Sequence, residues 1–237
     1  MINPFLAEFI GTMIVLLLGN GVVANVVLNK TKGNNGGWIV ITFGWAIAVF
    51  VGVYMTASSS GAHLNPVVSL ALAILGKLAW SNLPFYILSQ FLGAMFGSLL
   101  VYLVYKQHYD QTEEAGLVKA TFCNEPAIRS VLHNLISEII ATFVLVIGVL
   151  FLTGAENSLG SLDALPVALL VLGIGLSLGG ATGYAINPAR DLGPRIMYAI
   201  LPIRYKGSAD WTYSWIPVLG PILGSVLAVW IFTLLAA

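Results

Sequence analysis

Two Asn-Pro steps, Asn65-Pro66 and Asn187-Pro188, each open an apolar run too short to cross a bilayer. Asn is a strong N-cap because its side-chain oxygen accepts the free N–H groups of a first helical turn. Proline next to it lacks an N–H that would be orphaned there anyway, and its fixed φ suits the first helical position. Residues 65–75 and 187–198 therefore read as half-helices, since a spanning helix needs about 20 residues. A pair of interrupted helices in corresponding positions points to a site near the bilayer midplane.

The rest of the chain makes the bilayer its solvent. Of 237 residues, 58% are hydrophobic and 8% charged, where a soluble domain carries about 25% charged residues. The apolar runs are long and continuous, which favours helices over the alternating strands of an outer-membrane barrel. Full spans are expected at about 4–28, 38–57, 83–105, 130–153, 165–179 and 211–235, with 106–128 as the longest polar connection. The first run lacks a basic leader and a cleavage signature, so it reads as a retained helix. Ten basic and ten acidic residues cancel, giving no basis for a nucleic-acid partner. The single cysteine, Cys123, excludes an internal disulfide and a multi-cysteine metal site.

The halves echo one another. Ala7-Glu8-Phe9-Ile10-Gly11-Thr12 matches Ser137-Glu138-Ile139-Ile140-Ala141-Thr142, and Gly93 to Leu99 matches Gly220 to Val226. Three spans per half is an odd number, so the second copy enters from the opposite face and the half-helices meet tip to tip. The expectation is an all-α membrane protein of six transmembrane helices and two reentrant half-helices. A single domain is expected over 1–237, with inverted repeats at 1–110 and 125–237. Lys77 stands alone on one face, while Lys30, Lys32, Lys106, Lys119, Arg129, Arg204 and Lys206 fall on the other. The positive-inside rule would put the latter face in the cytoplasm.

The stretches Ser60-Gly61-Ala62-His63-Leu64-Asn65-Pro66 and Gly183-Tyr184-Ala185-Ile186-Asn187-Pro188-Ala189-Arg190-Asp191 resemble those of the aquaporin superfamily (major intrinsic proteins), within it the aquaglyceroporin or glycerol-facilitator branch. The resemblance implies homotetramers with a pore in each protomer, in the plasma membrane. It also implies cytoplasmic termini, which is adopted over the charge count. It places the narrowest ring at Trp45, Gly175, Tyr184 and Arg190. Trp45 with Gly175 fits the glycerol-facilitator pattern, in which Gly175 leaves room for a polyol's carbon backbone. Two departures stand out: Val67, where the first motif usually has alanine, adds methyls near the waist, and Tyr184 adds a hydroxyl where phenylalanine is common.

Each candidate residue has a chemical reason. Asn65 and Asn187 would present amide donors to a passing oxygen, beside two helix starts worth about +0.5 elementary charge each. Oxygens so oriented interrupt a proton-conducting chain, and cations are repelled. Pro66, Pro188 and Ala189 complete the motifs. Arg190, costing roughly 2.5–3.5 kcal/mol in a span, is tolerable lining water with its other donors met by backbone carbonyls. Glu8 and Glu138 are expected to accept backbone N–H groups from the approaches to the half-helices. His63 touches the pore entrance or braces its turn. Arg195 reads as an interfacial arginine paired with Asp191.

These residues imply passive diffusion of glycerol, water and similar small neutral solutes, with ions and protons excluded and no enzyme activity, cofactor or metal. Dihydroxyacetone, urea, hydrogen peroxide and undissociated lactic acid stay open as solutes. An ion-coupled secondary transporter is the alternative, since broken helices and inverted repeats suit it too. An intramembrane hydrolase built on Ser58–Ser60 and His63 lacks an oxyanion device.

Overall fold

A computed structural model describes residues 2–152 and 162–236. Among them are helices α1 (Pro4–Val27), α2 (Gly37–Ser60), α3 (Pro66–Ile74), α4 (Leu83–Tyr109), α5 (Ala115–Ala120), α6 (Val131–Leu152), α7 (Leu165–Ser177), α8 (Pro188–Ile200) and α9 (Ile216–Ala236), and no strand. Lipid cannot hydrogen-bond a free backbone, so each crossing segment satisfies its own amides as a helix. The faces are inverted relative to a soluble protein. α2 exposes Ile39, Phe43 and Ile47 and buries Thr42, Ala48, Gly52 and Thr56 against its neighbours, while Trp45 and Tyr54 face the central cavity. Bulky apolar side chains face outward, and small or polar ones face the neighbouring helices.

The packing pairs up under exchange of the halves. α1 packs on α2 and α4, and α6 packs on α7 and α9. α4 receives α8 and α9 receives α3, so each half-helix docks on the last long helix of the other half. Close approach depends on glycine: a Cβ on Gly93 would lie 2.4 Å from the Phe9 carbonyl oxygen, and one on Gly224 would lie 2.4 Å from that of Ile139.

Among the described residues five helices, α1, α2, α4, α6 and α9, are long and apolar enough to cross a membrane. α7 has 13 residues, about 20 Å at 1.5 Å per residue. The span expected at 165–179 is therefore short, and the chain passes into turns from Leu178. The sixth span begins five residues later than expected, after turns at 211–215. α4 runs on to Tyr109, and the polar connection after it holds the unexpected α5. Residue 153 of the expected fourth span, and most of the loop expected at 154–163, lie outside the described residues.

Candidate functional site

The two Asn-Pro helices meet at their N-termini. Asn65 Oδ1 accepts from Val67 N at 3.1 Å, and Asn187 Oδ1 accepts from Ala189 N and Arg190 N at 3.0 and 3.2 Å. Each amide also reaches across: Asn65 Nδ2 donates to the Ile186 carbonyl, and Asn187 Nδ2 to the Leu64 carbonyl, both at 2.9 Å. A primary amide has two N–H bonds, so one on each Asn remains for the cavity that both residues line.

The approach segments are strained in matching positions. Ala62 and Leu64 have φ +49°, Tyr184 +41° and Ile186 +44°. Such non-glycine conformations cost roughly 1–3 kcal/mol each. Buried carboxylates hold them. Glu8 accepts from His63 N at 2.9 Å, Leu64 N at 2.7 Å, Ser60 Oγ at 2.6 Å and Gln90 Nε2 at 2.8 Å. Glu138 accepts from Ala185 N at 3.0 Å, Ile186 N at 2.9 Å and Thr182 Oγ1 at 2.6 Å. A hydrogen bond to a charged group contributes about 1.5–3 kcal/mol, so the two backbone N–H bonds in each half are of the same size as the strain. In a trans peptide the C=O points opposite to the following N–H. Turning His63 and Leu64 N–H toward Glu8 thus turns the Ala62 and His63 carbonyls away from it. The same geometry turns out the Tyr184 and Ala185 carbonyls. Residues 61–65 and 184–187 line the cavity, so these acceptors lie on either side of the two asparagines.

The cavity holds about 920 Å³. Its apolar wall includes Val15, Val49, Val53, Leu145, Val149 and Val171, and Trp45, Tyr184 and Arg190 also line it. The Arg190 guanidinium sits 4.4 Å from the Trp45 ring centroid. Among the described residues no carbonyl reaches that guanidinium, and its Nη1 is buried without a hydrogen-bond partner. The expected carbonyl ligands are therefore replaced by an aromatic face, whose quadrupole attracts a cation. His63 lines the cavity too, with Nδ1 3.0 Å from Ser69 Oγ and its ring 4.8 Å from that of Tyr86.

Three expected placements differ. Gly175 does not line the cavity. A Cβ there would lie 3.0 Å from both Cζ and the hydroxyl oxygen of Tyr184, so the tyrosine occupies the space that glycine leaves. Trp38 walls that ring, edge-on at 6.0 Å, while donating to the Gly175 carbonyl at 3.0 Å. Val67 is turned from the cavity, which Val68 lines instead, and its carbonyl accepts from Ser225 Oγ on α9 at 2.8 Å. Arg195 is wholly buried rather than interfacial. Its Nε meets Asp191 Oδ1 at 2.8 Å, and Nη1 and Nη2 bind the Ala209 and Asn124 carbonyls at 2.6 and 2.9 Å. Buried guanidinium and carboxylate each need such partners to offset desolvation.

Several supporting residues carry no signal in the motifs. Gln90 bridges Glu8 to Ser69 Oγ at 2.9 Å, and Tyr86 donates its hydroxyl to the Ser60 carbonyl at 3.0 Å. Asn124, in the polar connection, donates to the Thr182 carbonyl at 3.0 Å. A polar residue inside a span was the one available hint for Gln90; nothing distinguishes Asn124 from its loop neighbours.

A membrane-embedded cavity, opened between two capped half-helices and lined by an arginine and aromatic rings, defines a solute-conducting pore. The family model for "Major intrinsic protein" matches residues 1–232, and the chain belongs to that family. It is 55% identical over 234 residues to the glycerol uptake facilitator protein of Streptococcus pneumoniae, covering 99% of this chain and 100% of the relative. It is 36% identical to the D/L-lactic acid transporter of Lactiplantibacillus plantarum, covering 97% of this chain and 96% of that one. The X-ray structure of the aquaglyceroporin from Plasmodium falciparum superposes with a TM-score of 0.85 at 33% identity, covering 97% of this chain and 94% of that one.

Proposed function

We propose that this multi-pass membrane protein is a passive channel for glycerol, other small uncharged solutes and water. The observation that carries the reading is the reciprocal Asn65–Ile186 and Asn187–Leu64 contact beside the cavity that Arg190, Trp45 and Tyr184 line. A polyol has a carbon edge and a hydroxyl edge. The aromatic rings suit the first; the Arg190 donors and the free carbonyls suit the second. Two helix N-termini, each equivalent to about +0.5 elementary charge, and the guanidinium make the passage hostile to cations. The asparagine donors turn a passing oxygen so that its own protons point away from the centre, which interrupts proton relay.

In this reading Trp45, Tyr184 and Arg190 form the selectivity filter and Gly175 is the socket of the tyrosine. Asn65 and Asn187 are the central donors, and Glu8, Glu138 and Asp191 are scaffold. Residues 1–110 and 125–237 are inverted repeats of one domain, the protomers assemble as tetramers in the plasma membrane, and both termini are cytoplasmic. Stopped-flow light scattering on proteoliposomes tests the function. Glycerol flux no faster than in empty vesicles refutes it. Accumulation against a gradient when a proton or sodium gradient is imposed identifies an ion-coupled transporter instead. Undissociated lactic acid belongs in the same solute panel, because a relative is named for its transport.

A further inference from the structure

Ser60 and Thr182 each stand five residues before a motif asparagine, and Tyr86 and Tyr213 each stand seven residues before a matching glycine, Gly93 or Gly220. In the first half the Tyr86 hydroxyl donates to the Ser60 carbonyl at 3.0 Å. In the second half the buried hydroxyl of Tyr213 has no hydrogen-bond partner among the described residues. The Thr182 carbonyl is taken by Asn124 Nδ2 at 3.0 Å. A residue from the connection between the halves makes the bond that the tyrosine makes in the first half.

We propose that Asn124 is a positioning residue for the selectivity filter, clamping the backbone two residues before Tyr184; this rests on the channel reading above. Its own backbone is anchored first: N–H to Asp191 Oδ2 at 2.7 Å, and carbonyl to Arg195 Nη2 at 2.9 Å. A second tie lies alongside, Ala127 N to the Ala181 carbonyl at 3.0 Å. From the other side Glu138 holds Thr182 Oγ1, Ala185 N and Ile186 N. The stretch carrying Tyr184 at φ +41° is thereby gripped on both flanks. Contact is close enough that a Cβ on Gly183 would lie 2.6 Å from Asn124 Nδ2. The Asn124→Ala change keeps both backbone anchors and removes only the grip on Thr182.

Wild type, N124A, Y213F and N124A/Y213F are compared in proteoliposomes, reading the permeability ratio of glycerol to the four-carbon polyol erythritol. N124A is expected to lower that ratio about three- to tenfold. Y213F, which deletes an atom with no hydrogen-bond partner among the described residues, leaves it within about 1.5-fold. N124S carries the same expectation as N124A and is used if N124A does not fold. A folded Asn124 variant with the wild-type ratio overturns the proposal, as does a Y213F channel that loses discrimination as far as N124A. A double variant below N124A identifies the Tyr213 hydroxyl as a partial substitute on the freed carbonyl and supports the clamp. Wild-type flux at the empty-vesicle rate sinks the channel reading itself, a result distinct from unchanged discrimination in a working channel.

Discussion

Gly175→Ala puts one methyl into the socket of Tyr184. The new Cβ would lie 3.0 Å from Tyr184 Cζ, 3.0 Å from its hydroxyl oxygen and 3.0 Å from Thr42 Cγ2. Each is several tenths of an ångström inside ordinary van der Waals contact, which begins at 3.4 Å. The ring cannot retreat along its own length, because Gly179 and Trp38 border it; a Cβ on Gly179 would lie 2.4 Å from Tyr184 Cδ1. It yields toward the cavity. Overpacking of this kind costs about 1–3 kcal/mol, and a solute in the filter must push the ring back against it. If about 1–2 kcal/mol enters the barrier for glycerol, permeability falls roughly 5- to 30-fold at 1.36 kcal/mol per decade. Water, with a smaller cross-section, loses less. The Y184F/G175A double variant loses one of the three contacts and recovers part of the glycerol flux. Stopped-flow scattering, normalised to channels per vesicle, reads all of these. Equal fold losses for glycerol and water, or no rescue by Y184F, refute the socket reasoning.

Other expectations are as direct. Glu138→Gln should destabilise the detergent-solubilised protein by about 2–4 kcal/mol, because three donors converge on a carboxylate and charged hydrogen bonds are worth about 1.5–3 kcal/mol each. Glu8→Gln should cost less, since Gln90 can turn its Oε1, which has no partner among the described residues, toward the new amide; thermal melts of the two variants decide the order, and equal losses count against it. Trp45→Ala should admit four- and five-carbon polyols by removing both a wall and the face on which Arg190 rests, and unchanged solute selectivity would exclude Trp45 from the filter. Burial, with a smaller contribution from Asp191, pushes the Cys123 thiol up to about 12. The reactive thiolate is therefore scarce at pH 7.5, so N-ethylmaleimide should label the SDS-unfolded chain and spare the native one by mass spectrometry.

The helices could be read from the sequence wherever the chain meets lipid, because lipid imposes one demand, an internally satisfied backbone. Asn65 and Asn187 announced themselves because a capping side chain followed by proline has few other uses. Glu8 and Glu138 stood out as charges too costly to bury unpaired, and the structure surrounds both with donors. Burial depends on who else arrives, and there the sequence was silent. Gly175 reads as open space in the sequence, and Tyr184 fills it. Arg195 reads as interfacial, and the Ala209 and Asn124 carbonyls that bury it come from distant segments. α7 ended early because its last turn gives way to the backbone that carries Tyr184. Asn124 lay in a polar loop whose composition says nothing of the distant carbonyl it meets.

The reciprocal contact between the asparagines bears on how the protein is made. Asn65 needs the carbonyl of Ile186, and Asn187 needs that of Leu64. Asn65 is translated more than a hundred residues before its crosswise partner. Until then it waits with amide and carbonyl unmatched, or wet. Insertion of the first half is thus provisional, and the arrival of the second reentrant segment is the event that locks both in place.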